Sequence, residues 1–208
     1  METINYKKHL AKDKILKPLL SHNEFTLELR KNVFQAMIRS VVSQQLNTKV
    51  AEIIFQRFLN LYNPNNPTIA DVLDTPFAEL LKIGLSNNKA KYVMNVAAFF
   101  DEHKLTDKKL HKLTNEELIN LLTQIKGIGI WSVQMLLMFV FGREDVFSDG
   151  DFGIQKSMQI LYNIPTENKK IFLEKINVIS EKWKPYRTYA CLHLWHYKDT
   201  PKIKIKKD

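Results

Sequence analysis

Glycine is rare in this chain, six in 208 residues, and five of the six lie between Gly127 and Gly153. Two stand one residue apart in Leu121-Leu122-Thr123-Gln124-Ile125-Lys126-Gly127-Ile128-Gly129-Ile130-Trp131-Ser132, with helical patterning on both sides. Glycine reaches backbone conformations closed to residues with side chains, so the chain can reverse sharply here between two helices. The reversal exposes amide N–H groups at the start of the second helix, an end that suits an anionic oxygen such as a phosphate. The plain alternative is a tight link between packed helices, because Gly-x-Gly alone is common.

Helical period extends over nearly the whole sequence. Phe34, Met37, Ile38, Val41 and Val42 recur at three- and four-residue spacing, and after Gln44-Gln45-Leu46-Asn47 the period resumes with Val50, Ile53, Ile54 and Leu61. Asn47 suits the N-cap of that second helix. Thr75-Pro76 reads as a capping hydroxyl followed by proline at the first helical position, and Gly84 as the stop. Ser86 opens a helix with the apolar face Ala90, Val93, Ala97 and Phe100, and Thr114-Asn115-Glu116-Glu117 is a capping box. Beyond the glycine pair come a helix through Trp131, Met135, Met138 and Phe139, one from about Asp151 to Leu161, one after Pro165 and one after Pro185. With no alternating strand pattern and no fixed-period repeat, the fold class is all-α with short connections.

A chain of this length suits one domain, or two small subdomains sharing a core. Its 31 Lys and Arg against 22 Asp and Glu give a net charge of +9, which favours a polyanionic partner through counterion release. A solvated lysine surface is the alternative, and five of the lysines sit in the tail Lys198 to Asp208. Cys191, the single cysteine, lies in the apolar run Ala190-Cys191-Leu192 and reads as a core residue. One thiol builds neither an internal disulfide nor a cysteine-ligated iron–sulfur cluster. His193 and His196 flank Trp195 without carboxylate or cysteine partners at ligand spacing, so they read as structural or surface residues. Met1 to Lys17 is polar, and no stretch approaches the ~20 apolar residues of a membrane span. A cytoplasmic protein is expected, nucleoid-associated in a bacterium, and without a membrane partner.

Val146-Phe147-Ser148-Asp149-Gly150-Asp151 places a carboxylate, Asp151, at a helix start about twenty residues after the glycine pair. An aspartate there is ordinarily a cap; its charge also suits stabilisation of a developing cation. Collinear blocks extend the pattern: Arg39-Ser40-Val41-Val42-Ser43-Gln44-Gln45-Leu46-Asn47-Thr48-Lys49, Gly84-Leu85-Ser86-x-x-Lys89, the glycine pair, the Asp151 segment, and Trp183-Lys184-Pro185-Tyr186-Arg187-Thr188-Tyr189-Ala190 with Leu194-Trp195. From about residue 30 to 197 this order resembles the helix-hairpin-helix DNA glycosylases of the 3-methyladenine type.

The resemblance implies two helical subdomains with the active-site cleft between them: about 25–142 with the helix-hairpin-helix, and 1–24 plus 143–208 with the basic tail. It implies excision of alkylated purines, of the 3-methyladenine and 7-methylguanine type, from double-stranded DNA by base flipping and glycosidic cleavage. Asp151 falls at the family's catalytic aspartate. Asp149 is the competing carboxylate, and Asp149-Gly150-Asp151 departs from the Pro-x-Asp-Asp form common in the family. Bifunctional relatives carry a lysine nucleophile two residues after the second hairpin glycine; Trp131 stands there, implying a monofunctional enzyme that uses water and has no lyase activity.

Trp131, Phe152 and Trp195 match base-pocket aromatics suited to a cationic alkyl purine, and Met135 stands where close relatives can carry tyrosine; core packing is the alternative. Leu46 corresponds to the wedge that fills the gap left by a flipped nucleotide, or is a buried helix-end leucine. Gly127, Gly129, Trp131 and Ser132 match DNA-backbone contacts, and Lys126 is phosphate-facing or merely solvated. The carbonyls of Thr123, Ile125 and Ile128 match a monovalent cation site, for Na+ or K+, with no other cofactor required. A monomer is expected. The competing readings are a glycosylase for a neutral oxidised or deaminated base, and a non-catalytic helix-hairpin-helix DNA-binding module.

Overall fold

The computed structural model describes residues 6–21 and 23–200, so the first five residues and residues 201–208 of the lysine-rich tail lie outside the described residues. Among the described residues there are twelve α-helices, one 3-10 turn and no strand. In chain order they are α1 (Tyr6–Leu10), the 3-10 turn (Lys17–Ser21), α2 (Val33–Ser43), α3 (Thr48–Leu59), α4 (Ile69–Asp74), α5 (Phe77–Lys82), α6 (Asn87–Glu102), α7 (Asp107–Leu110), α8 (Asn115–Leu122), α9 (Ile130–Phe139), α10 (Phe152–Tyr162), α11 (Lys169–Glu181) and α12 (Arg187–Asp199). They form two compact units, one continuous from Leu29 to Phe141, the other joining the residues up to Glu28 with those from Gly142 onward.

In the continuous unit α2 and α6 form the core. Phe34, Met37, Ile38, Val41 and Val42 on α2 are buried, as are Ala90, Val93, Ala97 and Phe100 on α6, and the Phe34 and Phe100 rings meet at 5.4 Å. Each large apolar side chain so buried contributes roughly 1.5–3 kcal/mol. Two carboxylate oxygens of Asp107 accept from the N–H groups of Asn32 and Val33 at 2.5 and 3.0 Å, which anchors the start of α2. Asn47, Ser86 and Thr114 cap α3, α6 and α8 as the sequence suggests, the last in a full capping box with Glu117.

Two local expectations are corrected. Helix α3 buries Ala51, Phe55 and Phe58, while Val50, Ile53 and Leu61 stay 38%, 46% and 37% exposed. Phe55, Phe58 and Tyr62 form an aromatic run, with centroid separations of 6.2 and 5.3 Å, and the larger rings take the inward face. Thr75 does not open a helix. It ends α4, its hydroxyl donating to the Asp71 carbonyl at 2.7 Å, and Pro76 is the N-cap of α5.

Between α8 and α9 the chain turns through Gly127 at φ 104°, and a Cβ there would lie 2.2 Å from the Tyr92 ring of α6. Gly129, at φ −101°, begins α9 and has nothing within 4 Å of a Cβ position. Ile125 and Ile128 are buried under the turn.

In the second unit Asp13 gathers four donors. The N–H groups of Ile15 and Leu16 reach Oδ1 at 2.9 and 3.2 Å, and the Tyr162 hydroxyl and Trp183 indole N–H reach Oδ2 at 2.7 and 3.0 Å. This one carboxylate joins the early segment to the late one. Arg187 makes a bidentate pair with Asp145 at 2.7 and 3.0 Å, fixing the start of α12. Cys191 is fully buried, and burial pushes its thiol up to about 12. His193 is fully buried too, edge-on to Phe25 at 4.8 Å; burial, with help from the Lys7 charge, holds it down to about 4 from 6.5.

The His193 shift sets a pH window. The folded imidazole stays neutral where the unfolded one takes a proton, so its stability is complete above pH 6.5 and is lost as pH falls from 6.5 to about 4. Denaturant titrations across that window should lose on the order of 2–3 kcal/mol from this group, a loss absent in His193→Phe. Gly127→Ala should cost at least about 2 kcal/mol in thermal unfolding, because the left-handed φ and the Tyr92 ring both oppose a methyl group. Gly129→Ala, in open space, should stay within about 1 kcal/mol of the parent.

Candidate active site

The candidate residues divide between the two units. In the discontinuous one, Asp151 is the N-cap of α10. Its Oδ1 accepts from the Ile154 N–H at 2.9 Å and from the indole N–H of Trp195 on α12 at 2.8 Å. The two donors fix the carboxylate's rotamer and direction. Gly153 makes the second contact reachable, since a Cβ there would lie 3.0 Å from Trp195 Cδ1 and 3.1 Å from Asp151 Oδ1. Ser157 donates to the Leu194 carbonyl at 2.8 Å and holds α10 against α12 one turn further on. Trp195, read from sequence as a pocket aromatic, is thus also a hydrogen-bond donor to the candidate catalytic group. Phe152, the next residue after Asp151, is 75% exposed.

Asp149 is occupied otherwise. Its Oδ2 accepts from the Asn177 side chain on α11 at 2.9 Å, and its carbonyl accepts from Gln155 at 2.6 Å. These bonds make it a clamp for the loop before α10.

In the continuous unit, Trp131 and Met135 lie one turn apart on α9 and line a cavity of ≈ 440 Å³ together with Arg39, Ser40, Ser43 and Phe55. The Arg39 guanidinium pairs with Glu52 at 2.5 Å and sits over the Phe55 ring at 5.2 Å. Leu46 is half-buried in the turn after α2.

At the hairpin, Gly129 is the N-cap of α9 and brings no side-chain acceptor to it, and a helix start of this kind suits an anionic oxygen. The Ser132 side chain is buried, which restricts that residue to backbone contact; Lys126 is exposed and its carbonyl accepts from Asn95 at 3.0 Å. The Ile125 carbonyl accepts the Ile128 N–H at 3.0 Å. Among the described residues no cluster of three or more His, Cys, Asp or Glu side chains is placed to hold a metal ion, and no helix is long and apolar enough to cross a membrane.

Arg39, Phe55 and Asn177 escaped the sequence reading as site residues. Arg39 lies in a motif block, but nothing in the period shows that it faces a cavity; the roles of Phe55 and Asn177 depend on helices far apart in sequence.

The chain is similar to Schizosaccharomyces pombe DNA-3-methyladenine glycosylase 1, 37% identical over 168 residues that make up 80% of this chain and 72% of that protein. Among solved structures it matches the S. pombe 3-methyladenine DNA glycosylase Mag1 in complex with abasic DNA at a TM-score of 0.82 and 32% identity, over 96% of this chain and 99% of the other. A DNA-3-methyladenine glycosidase from Bacillus halodurans matches equally well, at a TM-score of 0.82 and 30% identity over 96% and 91% of the two chains. Residues 38–183 match the family model described as HhH-GPD superfamily base excision DNA repair protein, and with these relatives the chain belongs to that superfamily.

Proposed function

We propose that this protein is a monofunctional DNA glycosylase that releases alkylated purines in base excision repair. The observation that carries the reading is the Asp151 carboxylate, held at the start of α10 by the Ile154 N–H and the Trp195 indole N–H. A carboxylate fixed in this way needs no reorganisation to meet positive charge as it develops on the sugar. Asp151 stabilises the oxocarbenium-like transition state and directs water to the anomeric carbon. Trp131 occupies the position from which bifunctional relatives present a lysine amine, so the reaction stops at base release.

Leu46 enters the duplex as the nucleotide leaves the stack. The hairpin takes backbone phosphate on the N–H groups that follow Gly127 and Gly129, including those of Trp131 and Ser132. The carbonyls of Thr123, Ile125 and Ile128 would hold a monovalent cation there, at the carbonyl-rich end of α8. Such an ion would offset that negative end beside the phosphate. Phe152 and Trp195, the aromatic side chains beside Asp151, face the base, and aromatic faces favour a cationic purine over a neutral one by about 0.5–2 kcal/mol.

Asp151→Asn should lower single-turnover base release by about 10²–10³-fold or more while binding to an abasic-site duplex changes only a few-fold. Asp149→Asn should cost far less. Trp195→Phe keeps a ring and loses the indole donor, so a roughly 10–100-fold loss is expected from a hydrogen bond to a charged group. Normal turnover in Asp151→Asn would move the catalyst elsewhere.

Across a panel of lesion-bearing duplexes, N3-methyladenine and N7-methylguanine should be released well ahead of neutral lesions. Release of 8-oxoguanine without activity on methylated purines would refute the alkyl-base assignment and leave the fold untouched.

A further inference from the structure

The motif block Gly84-Leu85-Ser86-x-x-Lys89 has no part in the chemistry above, yet its lysine has a specific place. Lys89 lies in the first turn of α6, where the helix dipole disfavours a cation, and it is partly buried, which lowers its amine below the usual lysine range. Its ammonium donates to the Val42 carbonyl at 2.8 Å, at the C-terminal end of α2, where a cation is favoured. Immediately beyond, α2 ends at Gln44, and Gln45 takes the left-handed φ of 56° before Leu46. A residue with a side chain holds such a conformation only where its surroundings impose it. The Gln44 side chain supplies one imposition: its amide donates to the Gly127 carbonyl at 2.9 Å, across 83 residues of sequence.

Helix α6 joins the same two places along a single face. Lys89 reaches the end of α2, the Tyr92 ring packs against Gly127, and Asn95 donates to the Lys126 carbonyl at 3.0 Å. The spacing of three residues keeps all of them on one side of the helix. The Leu46 turn is therefore pinned directly to the hairpin by Gln44 and indirectly through α6 by Lys89.

We propose that Gln44 and Lys89 are positioning residues that lock the Leu46 turn to the glycine hairpin, so that the backbone grip and the wedge move as one rigid piece. This rests on the reading of Leu46 as the wedge and of the hairpin as the phosphate grip. Neither residue needs to touch DNA. Their effect is on the flipping step, because a wedge free to shift against the grip enters the stack less often for each binding event.

The test uses the full chain with Gln44→Met, Lys89→Met, Lys89→Arg, Leu46→Ala, and the double variant of Gln44 and Leu46. Three quantities are read: binding to undamaged duplex, single-turnover release of N7-methylguanine, and the fluorescence of a 2-aminopurine placed beside the lesion, which reports unstacking. Gln44→Met and Lys89→Met should each slow unstacking and base release by about five- to ten-fold, with undamaged-duplex binding within about two-fold and Lys89→Arg close to the parent. In the Leu46→Ala background, Gln44→Met should add nothing, since a brace has no effect once its wedge is gone. Multiplicative losses in the double variant would overturn the proposal, as would normal release by Gln44→Met beside slow release by Leu46→Ala. Normal release by Leu46→Ala itself would remove the wedge reading and the brace with it. Should Gln44→Met fail to fold, the Lys89→Met and Lys89→Arg pair decides: slow release restored by arginine supports the brace, and equal release by both overturns it.

Discussion

A chain built from helices alone leaves backbone N–H groups and carbonyls unpaired at both ends of each helix, and the way side chains meet them organises this molecule. Asn32, Asn47, Thr68, Ser86, Thr106, Thr114, Asp151 and Asn168 each accept an N–H from the first turn of the helix they precede. Such a cap contributes about 1 kcal/mol. Helix α2 is met at both ends from elsewhere in its unit, by the Asp107 carboxylate at its N-terminus and the Lys89 ammonium at its C-terminus. Those charges match the poles of its dipole, so the helix that carries the Leu46 turn is fixed in its axial position as well as by its apolar face.

Two of these helix starts carry the chemical interest. Gly129 brings no side-chain acceptor to the start of α9. Asp151 does bring one, and the oxygen that caps α10 also accepts the Trp195 indole. A glycine two residues on leaves room for this tryptophan, since a Cβ at Gly153 would lie 3.0 Å from Trp195 Cδ1. Phe152 remains mostly exposed beside it, an apolar surface that folding alone does not use.

The sequence made helix faces and caps legible wherever one signal acted alone. Asn47, Ser86 and the Thr114 box are local chemistry, and the structure has them as read. In helix α3 the period admits two apolar stripes, and only the neighbours reveal that Phe55 and Phe58 outrank Val50 and Ile53. The short helices α4 and α7 carry too few residues for a period to register. Site residues divide in the same way. The candidate carboxylate Asp151 stands out by a helix start and a family pattern, whereas its bond to Trp195 spans 44 residues, and the Gln44 bond to Gly127 spans 83. Hydrogen bonds across such distances follow from packing, which no local pattern encodes.

The Asp13 cluster carries a consequence for how the chain is made. Residues 29–141 form one continuous compact unit. A ribosome adds roughly 5–20 residues per second, and domains fold as they emerge. The whole of that stretch is synthesised while Asp13 still lacks Tyr162 and Trp183, the later side chains that donate to it. Leu10, Leu16 and Leu19, all fully buried in the finished fold, lie in the same early segment. The polar and basic residues interleaved with them, from Lys7 to Lys17, keep the waiting segment hydrated until the last helices arrive.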